Sequence, residues 1–265
     1  MKPLTAWPLQ ERASIVGVLT DIDDTLTTHG ALTPAVLAAL DALRNAGLRL
    51  VAVTGRPTYW ALPLLKLCGF DALVAENGAS AFWRDRSGRE QGLFYADSET
   101  RAAHRKQLNA FSVMVRERFP HIEVADDAPM RIGDLAFDIG ENRPRLAQDG
   151  IDALLQFFRG HGYFGTVSSI HAHASLAPLS KQVMTQRVLE QAFGVDDASA
   201  RAVYAFVGDS VNDASMFAHY PHTIGVANIA PYLAILPRGP AWIACGESGA
   251  GFIEVAEAIL AARGA

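Results

Sequence analysis

Basic charge is scarce in this 265-residue chain: 23 Lys and Arg stand against 28 Asp and Glu, giving a formal net charge of -5. No basic face is implied, so nucleic acid is not an expected partner. Cysteine is scarcer still. Cys68 and Cys245 form neither a metal-ligand pattern nor a disulfide framework, and read as small core residues of a protein in a reducing compartment. Long apolar runs are missing, which argues against a membrane span. The opening stretch MKPLTAWPLQERAS has no sustained apolar core, so no secretory signal is expected. Repeats and low-complexity segments are also absent. A cytoplasmic protein is the resulting expectation. What the chain does have is apolar bulk, 50% of its residues, enough for one large domain or two unequal ones.

Strand and helix signals alternate at the start. Residues 15–19 read as a buried strand, and LTPAVLAALDALRNAG as a helix with Thr33 as N-cap, Pro34 at the first position and Gly47 as stop. LRLVAV (48–53) is a second strand, followed by the loop TGRP, a helix to about Cys68, the strand ALVA (72–75) and the loop ENG. Unbroken apolar strands alternating with helices predict a parallel sheet covered on both faces.

The rhythm then changes. SAFWRDRSGREQGLFYA reads as a hairpin, residues 97–118 as a polar helix, HIEVA and DLAFDIG as strands, PRLAQDGIDALLQFFRGHG as a helix and YFGTVSSIHAHASLA as strand-rich. This predicts a smaller α+β domain inserted at 96–178 between two parts of a Rossmann-like three-layer core, 1–95 and 179–265. Alternation resumes with a helix at 180–193, the strand VYAFVG (203–208), a helix at 211–219, the strands TIGVA and WIAC, and a last helix.

Charge concentrates just past the strands. IVGVLTDIDDTLTTHG ends a buried strand on Asp21, Asp23 and Asp24, which repel one another unless something positive is bound. TGRP, ENG and GDSVND follow three other strands, and ligands of open α/β sheets bind at the carboxyl ends of the strands. Asp21 and Asp23, with Asp209 and Asp213 of the far loop, give an oxygen-only set without His or Cys, which suits a hard cation such as Mg²⁺. Carboxylate, cation and Lys181 together can carry covalent phosphoryl transfer. A lysine at the start of a helix is electrostatically misplaced there, and that favours a bound anion beside Lys181.

DIDDTLT, the Thr of AVTGRP, Lys181 and GDSVNDASMF resemble, in order, the four motifs of the haloacid dehalogenase-like phosphatases. The long insert and ENGA resemble the subgroup with a large α/β cap, that of the Cof-type sugar phosphatases, sucrose-phosphatase and mannosyl-3-phosphoglycerate phosphatase. The resemblance implies a phosphatase acting on a small phosphorylated metabolite, a sugar phosphate or phosphorylated sugar acid. Asp21 would be the nucleophile and Asp23 the general acid–base; Thr54 and Lys181 would hold phosphoryl oxygens. Mg²⁺ would sit on the Asp21 carboxylate, the Asp23 carbonyl and Asp209, with Asp213 behind or through water. Two departures stand out: Asp24 occupies a common glycine position, and SKQVMT lacks the glycine that often follows the lysine.

Arg56, Asn77, Gly78 and Asn212 are candidate substrate contacts. Thr54 also reads as a plain cap of the following helix, and Asn77–Gly78 as a turn. His171 and His173 alternate in a strand and share one face. They offer substrate contacts on the cap, a merely exposed pair on its polar face, or two ligands of a metal site with no third. Phosphomutase and non-catalytic sugar-phosphate sensor are the rival functions, and monomer or homodimer the expected assembly. Asp23 argues against dehalogenase and phosphonate hydrolase chemistry.

Overall fold

The computed structural model describes residues 1–264. The chain opens with strand β1 (Lys2–Pro3), helix α1 (Leu9–Ser14) and strand β2 (Gly17–Thr20). A small hairpin, β3 (Thr27–Thr28) and β4 (Ala31–Leu32), turns at His29 and Gly30, both with positive φ. Then come α2 (Pro34–Asn45), β5 (Arg49–Val53), α3 (Thr58–Leu67), β6 (Ala72–Ala75), β7 (Ser80–Arg84) and β8 (Glu90–Phe94). Helix α2 starts as its sequence dictates, with the Thr33 hydroxyl accepting from Val36 N and Pro34 in the first turn.

The insert contributes α4 (Ser98–Arg118), β9 (Asp134–Asp138), α5 (Gln148–Gly160), β10 (Phe164–Val167) and β11 (His171–Ser175). The chain closes with α6 (Lys181–Phe193), α7 (Asp197–Val203), β12 (Tyr204–Gly208), α8 (Ala214–His219), β13 (His222–Gly225), β14 (Trp242–Ile243) and α9 (Ser248–Arg263). Three details differ from expectation. HIEVA forms only a bridge, Val124 to Phe137, because the chain touches β9 there for one pair and turns away. The helix at 211–219 begins as a separate tight turn, Val211–Asp213, since Ser210 and Asp213 cap each other across it. Strand β1, helices α1 and α7 and the β3–β4 hairpin were not foreseen; all are too short to show a period.

The central sheet runs β1-β14-β13-β12-β2-β5-β6-β7-β8. Pairing is parallel as far as β6 and antiparallel from β6 through β8. Neighbouring residues of its strands feed opposite layers. Val18, Leu50, Leu73 and Val207 join one apolar cluster with α2 and α9, while Leu19, Val51, Val74 and Phe206 join another with α6 and α8. Both faces are therefore covered, and the polar ends of β2, β5, β6 and β12 come together along one edge.

The insert has its own antiparallel sheet, β10-β11-β9. Leu135, Phe137, Ala172 and Ala174 pack beneath α4 and α5, against Phe111 and Phe158. The period of two sends Asp134, Asp138, His171 and His173 to the opposite face.

Candidate active site

Just past strand β2, the Asp21 amide donates to the carbonyl of Val207 in β12, at 2.9 Å. That bond ties the first and fourth loops at their roots. Above it, the Lys181 ammonium donates to Asp21 Oδ1 at 2.8 Å and to Asp213 Oδ1 at 2.7 Å. Lys181 opens α6, whose N-cap Ser180 accepts from Val183 N. The second oxygen of Asp213 accepts from the backbone amides of Asp209 and Ser210, at 3.0 and 3.2 Å. Both Asp213 oxygens are thus engaged. Asp21 Oδ2 takes no hydrogen bond from the described residues. Asp209 receives only long contacts, from Thr25 Oγ1 and Asn228 Nδ2, each at 3.3 Å.

Asp21, Asp209 and Asp213 offer oxygens within 4.8 Å of one another, and all three are buried. Three carboxylates against one lysine leave excess negative charge away from water. Burial pushes the Asp21 carboxyl up to about 7 against the pull of Lys181, with Asp213 and Asp23 adding to the rise. Burial, then Asp21 and Asp213, raise Asp209 well above the usual carboxylate range. A divalent cation fits this donor set, since it would relieve the repulsion through oxygen ligands alone.

The second loop turns on Thr54, whose hydroxyl accepts from Arg56 N at 3.0 Å. It does not cap α3, whose N-cap is Pro57. Arg56 reaches over the site, and its Nε lies 2.9 Å from both oxygens of Asp23. Its Nη1 donates to Glu141 of the insert at 2.7 Å and lies 3.8 Å from Asp127. The guanidinium also stacks 4.9 Å from the Trp60 ring centroid. These carboxylates hold the Arg56 charge more firmly than usual despite burial.

The third loop is strained, with positive φ at Glu76, Asn77 and Gly78. The Glu76 carboxylate is fully buried and joins core to insert: it accepts from Thr58 N and Oγ1 and from Ile132 N and Gly133 N. Asn77 accepts at Oδ1 from Asn212 Nδ2 at 3.0 Å, linking the third and fourth loops. Gly78 is not among the residues that line the small cavity around Asp21 and Asp23. A Cβ there would stand 2.2 Å from the Ser180 carbonyl, so glycine lets this loop pack on the start of α6.

Asp21, Asp23, Arg56, Asn212, His171 and His173 line one small cavity. The structure thus brings the two histidines to the carboxylates but not together as metal ligands. His171 Nε2 contacts Glu141 Oε2 at 2.7 Å, and His173 Nδ1 contacts Asp134 Oδ2 at 2.9 Å. The hydrogen bond from His171, then the charge of Arg56, hold Glu141 down at about 2. Arg131, wholly buried, grips Asp127 and Asp134 and donates to the Gly55 carbonyl of the core at 3.1 Å.

Asp127, Arg131, Asp134 and Glu141 were invisible as site residues, because each sits in a loop or strand end with no motif spacing, and Glu76 entered only as part of ENGA, with no role of its own. Only the alternation DLAFD hinted at a polar face on β9.

Residues 18–109 match the haloacid dehalogenase-like hydrolase family. No match was found among curated protein sequences. Among solved structures the fold resembles Thermoplasma acidophilum 0175, at 16% identity and TM-score 0.69, over 92% of this chain and 98% of that one. It also resembles a haloacid dehalogenase-like hydrolase from Bacteroides thetaiotaomicron, at 16% identity and TM-score 0.64, over 92% and 99%. A third is the sucrose-phosphatase of Synechocystis sp. PCC6803, solved with sucrose and phosphate, at 18% identity and TM-score 0.63, over 93% and 98%. The family match covers the first part of the core, and the likeness to solved structures extends the same fold over most of the chain. A HAD/COF-like hydrolase structure from Plasmodium vivax shares the fold as well, at 15% identity and TM-score 0.68, over 96% of this chain and 99% of that one. No helix among the described residues is long and apolar enough to cross a membrane.

Proposed function

We propose that this chain is a Mg²⁺-dependent phosphatase that hydrolyses a small phosphomonoester, a sugar phosphate or phosphorylated sugar acid, through a phosphorylated Asp21. The observation that carries the reading is the buried bridge from Lys181 to Asp21 and Asp213. It fixes one oxygen of Asp21 and leaves Oδ2 free beside Asp209. A cation could use that oxygen in a binding protein too, but a nucleophile needs one oxygen fixed and the other free, and this arrangement supplies both.

Asp21 Oδ2 would attack phosphorus. The ester oxygen would leave as an alcohol, taking a proton from Asp23. Asp23, now ionised, would remove a proton from water as that water attacks the phosphorylated Asp21, releasing phosphate and restoring both carboxyl groups. Lys181 and Thr54 would hold the phosphoryl oxygens. The Asp21 and Asp209 carboxylates and the Asp23 carbonyl would hold Mg²⁺, with Asp213 keeping Lys181 in place. When bound, the ion supplies positive charge that offsets the charge on the phosphoryl oxygens. Residues 96–178 act as a specificity cap over a core of 1–95 and 179–265. The partner is the phosphorylated metabolite alone, with no nucleic acid and no membrane, and the enzyme works in the cytoplasm as a monomer or homodimer.

The test is release of phosphate from phenyl phosphate and a panel of phosphorylated metabolites, with Mg²⁺ supplied. Steady turnover and an acid-stable, hydroxylamine-labile phosphoryl group on the protein are expected. No turnover on any member sinks the proposal.

A further inference from the structure

The third loop holds a buried carboxylate that the proposed chemistry does not use. Glu76 is 0% exposed, and both its oxygens are filled. Oε1 accepts from Thr58 N at 2.9 Å and from Thr58 Oγ1 at 2.7 Å, both of the core. Oε2 accepts from two amides of the insert, Ile132 at 2.8 Å and Gly133 at 2.7 Å. One charged group therefore grips both bodies. The grip needs a carboxylate, since a side-chain amide offers one oxygen where two are filled.

The backbone is bent to serve it. Glu76 and Asn77 have φ of 49° and 54°, in the left-handed region that residues other than glycine rarely occupy. This turn sends Glu76 to the insert and Asn77 to Asn212 of the fourth loop, 3.0 Å away. The insert is shaped to meet it. A Cβ at Gly133 would stand 2.3 Å from Ala79 Cβ and 3.1 Å from the Tyr95 ring, so glycine lets this segment lie flat on the end of the third loop. Beside it, the Arg131 guanidinium donates to the Gly55 carbonyl of the core.

The place of this contact sets it apart from the others between core and insert. The chain enters the insert past Tyr95 and leaves it past Ser175. Gly133 packs on Tyr95, and Ser175 pairs with Asp134. Both connections and the Glu76 contact thus lie at one end of the insert sheet. At the other end His171 pairs with Asp138, whose Oδ1 takes the amide of Glu141. Along β9 the two ends are about 13 Å apart, at a strand rise of about 3.3 Å per residue. When a body turns about one end, contacts near that end move least.

We propose that Glu76 is the fulcrum of the insert: it keeps hold of the Ile132 and Gly133 amides while the Arg56–Glu141 contact at the far end opens and closes. Were the Glu76 contact to break at each opening, two amides and a buried charge would lose their partners together. Glu76 is thus a positioning residue. It sets where the face carrying His171 and His173 lands over Asp21 and Asp23. That role rests on the phosphatase reading; the motion does not.

The test is amide nitrogen relaxation of the ligand-free full chain, which reads how the insert, residues 98–175, tumbles relative to the core. In the unaltered protein the two should tumble as one body. Glu76→Gln keeps the shape but leaves one oxygen and sets an NH2 group against donors. It should free the insert, whose correlation time should fall by about a third or more, toward that of a body of its own size. Glu141→Gln cuts only the far contact, so its insert should open on the fulcrum and still tumble with the core. A role in stability alone would lower the melting temperature of Glu76→Gln without separating the two motions. Where Glu76→Gln does not fold, Gly133→Ala is judged in its place, since its methyl group parts the same surfaces and leaves the carboxylate intact. An insert that still tumbles with the core in that variant, or one that Glu141→Gln frees as fully, overturns the fulcrum. Neither result touches the phosphatase reading, which stands or falls on turnover.

Discussion

Arg56 lies across both carboxylate oxygens of Asp23, and the same guanidinium is held from the other side by Glu141 of the insert. One cation is thereby shared between the expected acid–base and the face that covers it. The catalytic cavity beneath measures about 10 Å³, room for a water and not for a phosphoryl group. A cavity of about 460 Å³ adjoins it, lined by Asp23, Arg56 and Glu141, and we expect the insert to lift, breaking the Arg56–Glu141 contact, for a phosphoryl group to pass from there to Asp21.

Glu141→Gln should loosen this closure. The pair is only partly exposed, and a charge-assisted hydrogen bond of this kind is worth roughly 1.5–3 kcal/mol. The substitution keeps shape and one weaker bond, so about a tenfold shift toward open forms is expected. Small-angle scattering of the ligand-free protein should show a larger radius of gyration, and KM and kcat should change by different factors. Identical scattering profiles for Glu141→Gln and the unaltered protein would remove the latch.

Asp21→Asn and Asp23→Asn should separate two roles that look alike in the sequence. An amide at 21 cannot attack phosphorus, so turnover should vanish while the fold, read by circular dichroism, persists. Loss of acid–base help at 23 should cost roughly 10²–10⁴-fold, and less with aryl leaving groups, which need little protonation. Equal losses on aryl and alkyl phosphates would contradict the role given to Asp23.

The motifs at the strand ends were legible because their physics is local. A buried strand that stops on Asp21 and Asp23, and another that stops on Asp209, leave charge where only a cation or an anion-binding cluster can settle it. The sheet edge follows from alternation alone. What stayed hidden depends on contacts between distant segments. Glu76 looked like a turn residue, yet it receives amides from Thr58 and from Ile132 and Gly133, more than fifty positions away. Gly78 looked like a ligand contact and instead makes room for Ser180. The two histidines were paired by periodicity, and only the insert's own carboxylates, Glu141 and Asp134, give them different partners.

A chelator should abolish activity, and Mg²⁺ should restore it. Asp209→Asn should raise the Mg²⁺ concentration needed by tenfold or more, since Asp209 is the carboxylate least engaged by the protein itself. Its removal should also make the metal-free protein more stable, because one of three crowded charges is gone. Thermal melts with and without Mg²⁺ read both effects. Full turnover without any divalent ion would end the metal assignment.

Acid should weaken the insert through His173. In the unfolded chain a histidine takes up its proton near pH 6.5, whereas in the fold burial delays that uptake to about 4. Its contribution is therefore fully present above about pH 6.5 and is lost as pH falls toward 4, at up to roughly 1.4 kcal/mol per pH unit. The groups facing the ring set this window. Asp134, in hydrogen-bond contact, pulls the pKa up, but Arg131 and His171 oppose it. Asp134 itself, held low by Arg131 and His173 against its burial, titrates below the window. Asp21, Asp209 and Glu76, all raised by burial, act with the opposite sign, so the comparison must be with a variant that keeps them. His173→Gln is that variant. Urea unfolding at pH 7.5, 6.5, 5.5 and 4.5 should show the unaltered protein losing its lead over His173→Gln steadily across the last three points. A constant difference between the two proteins over that range would mean that His173 is not held neutral by the fold.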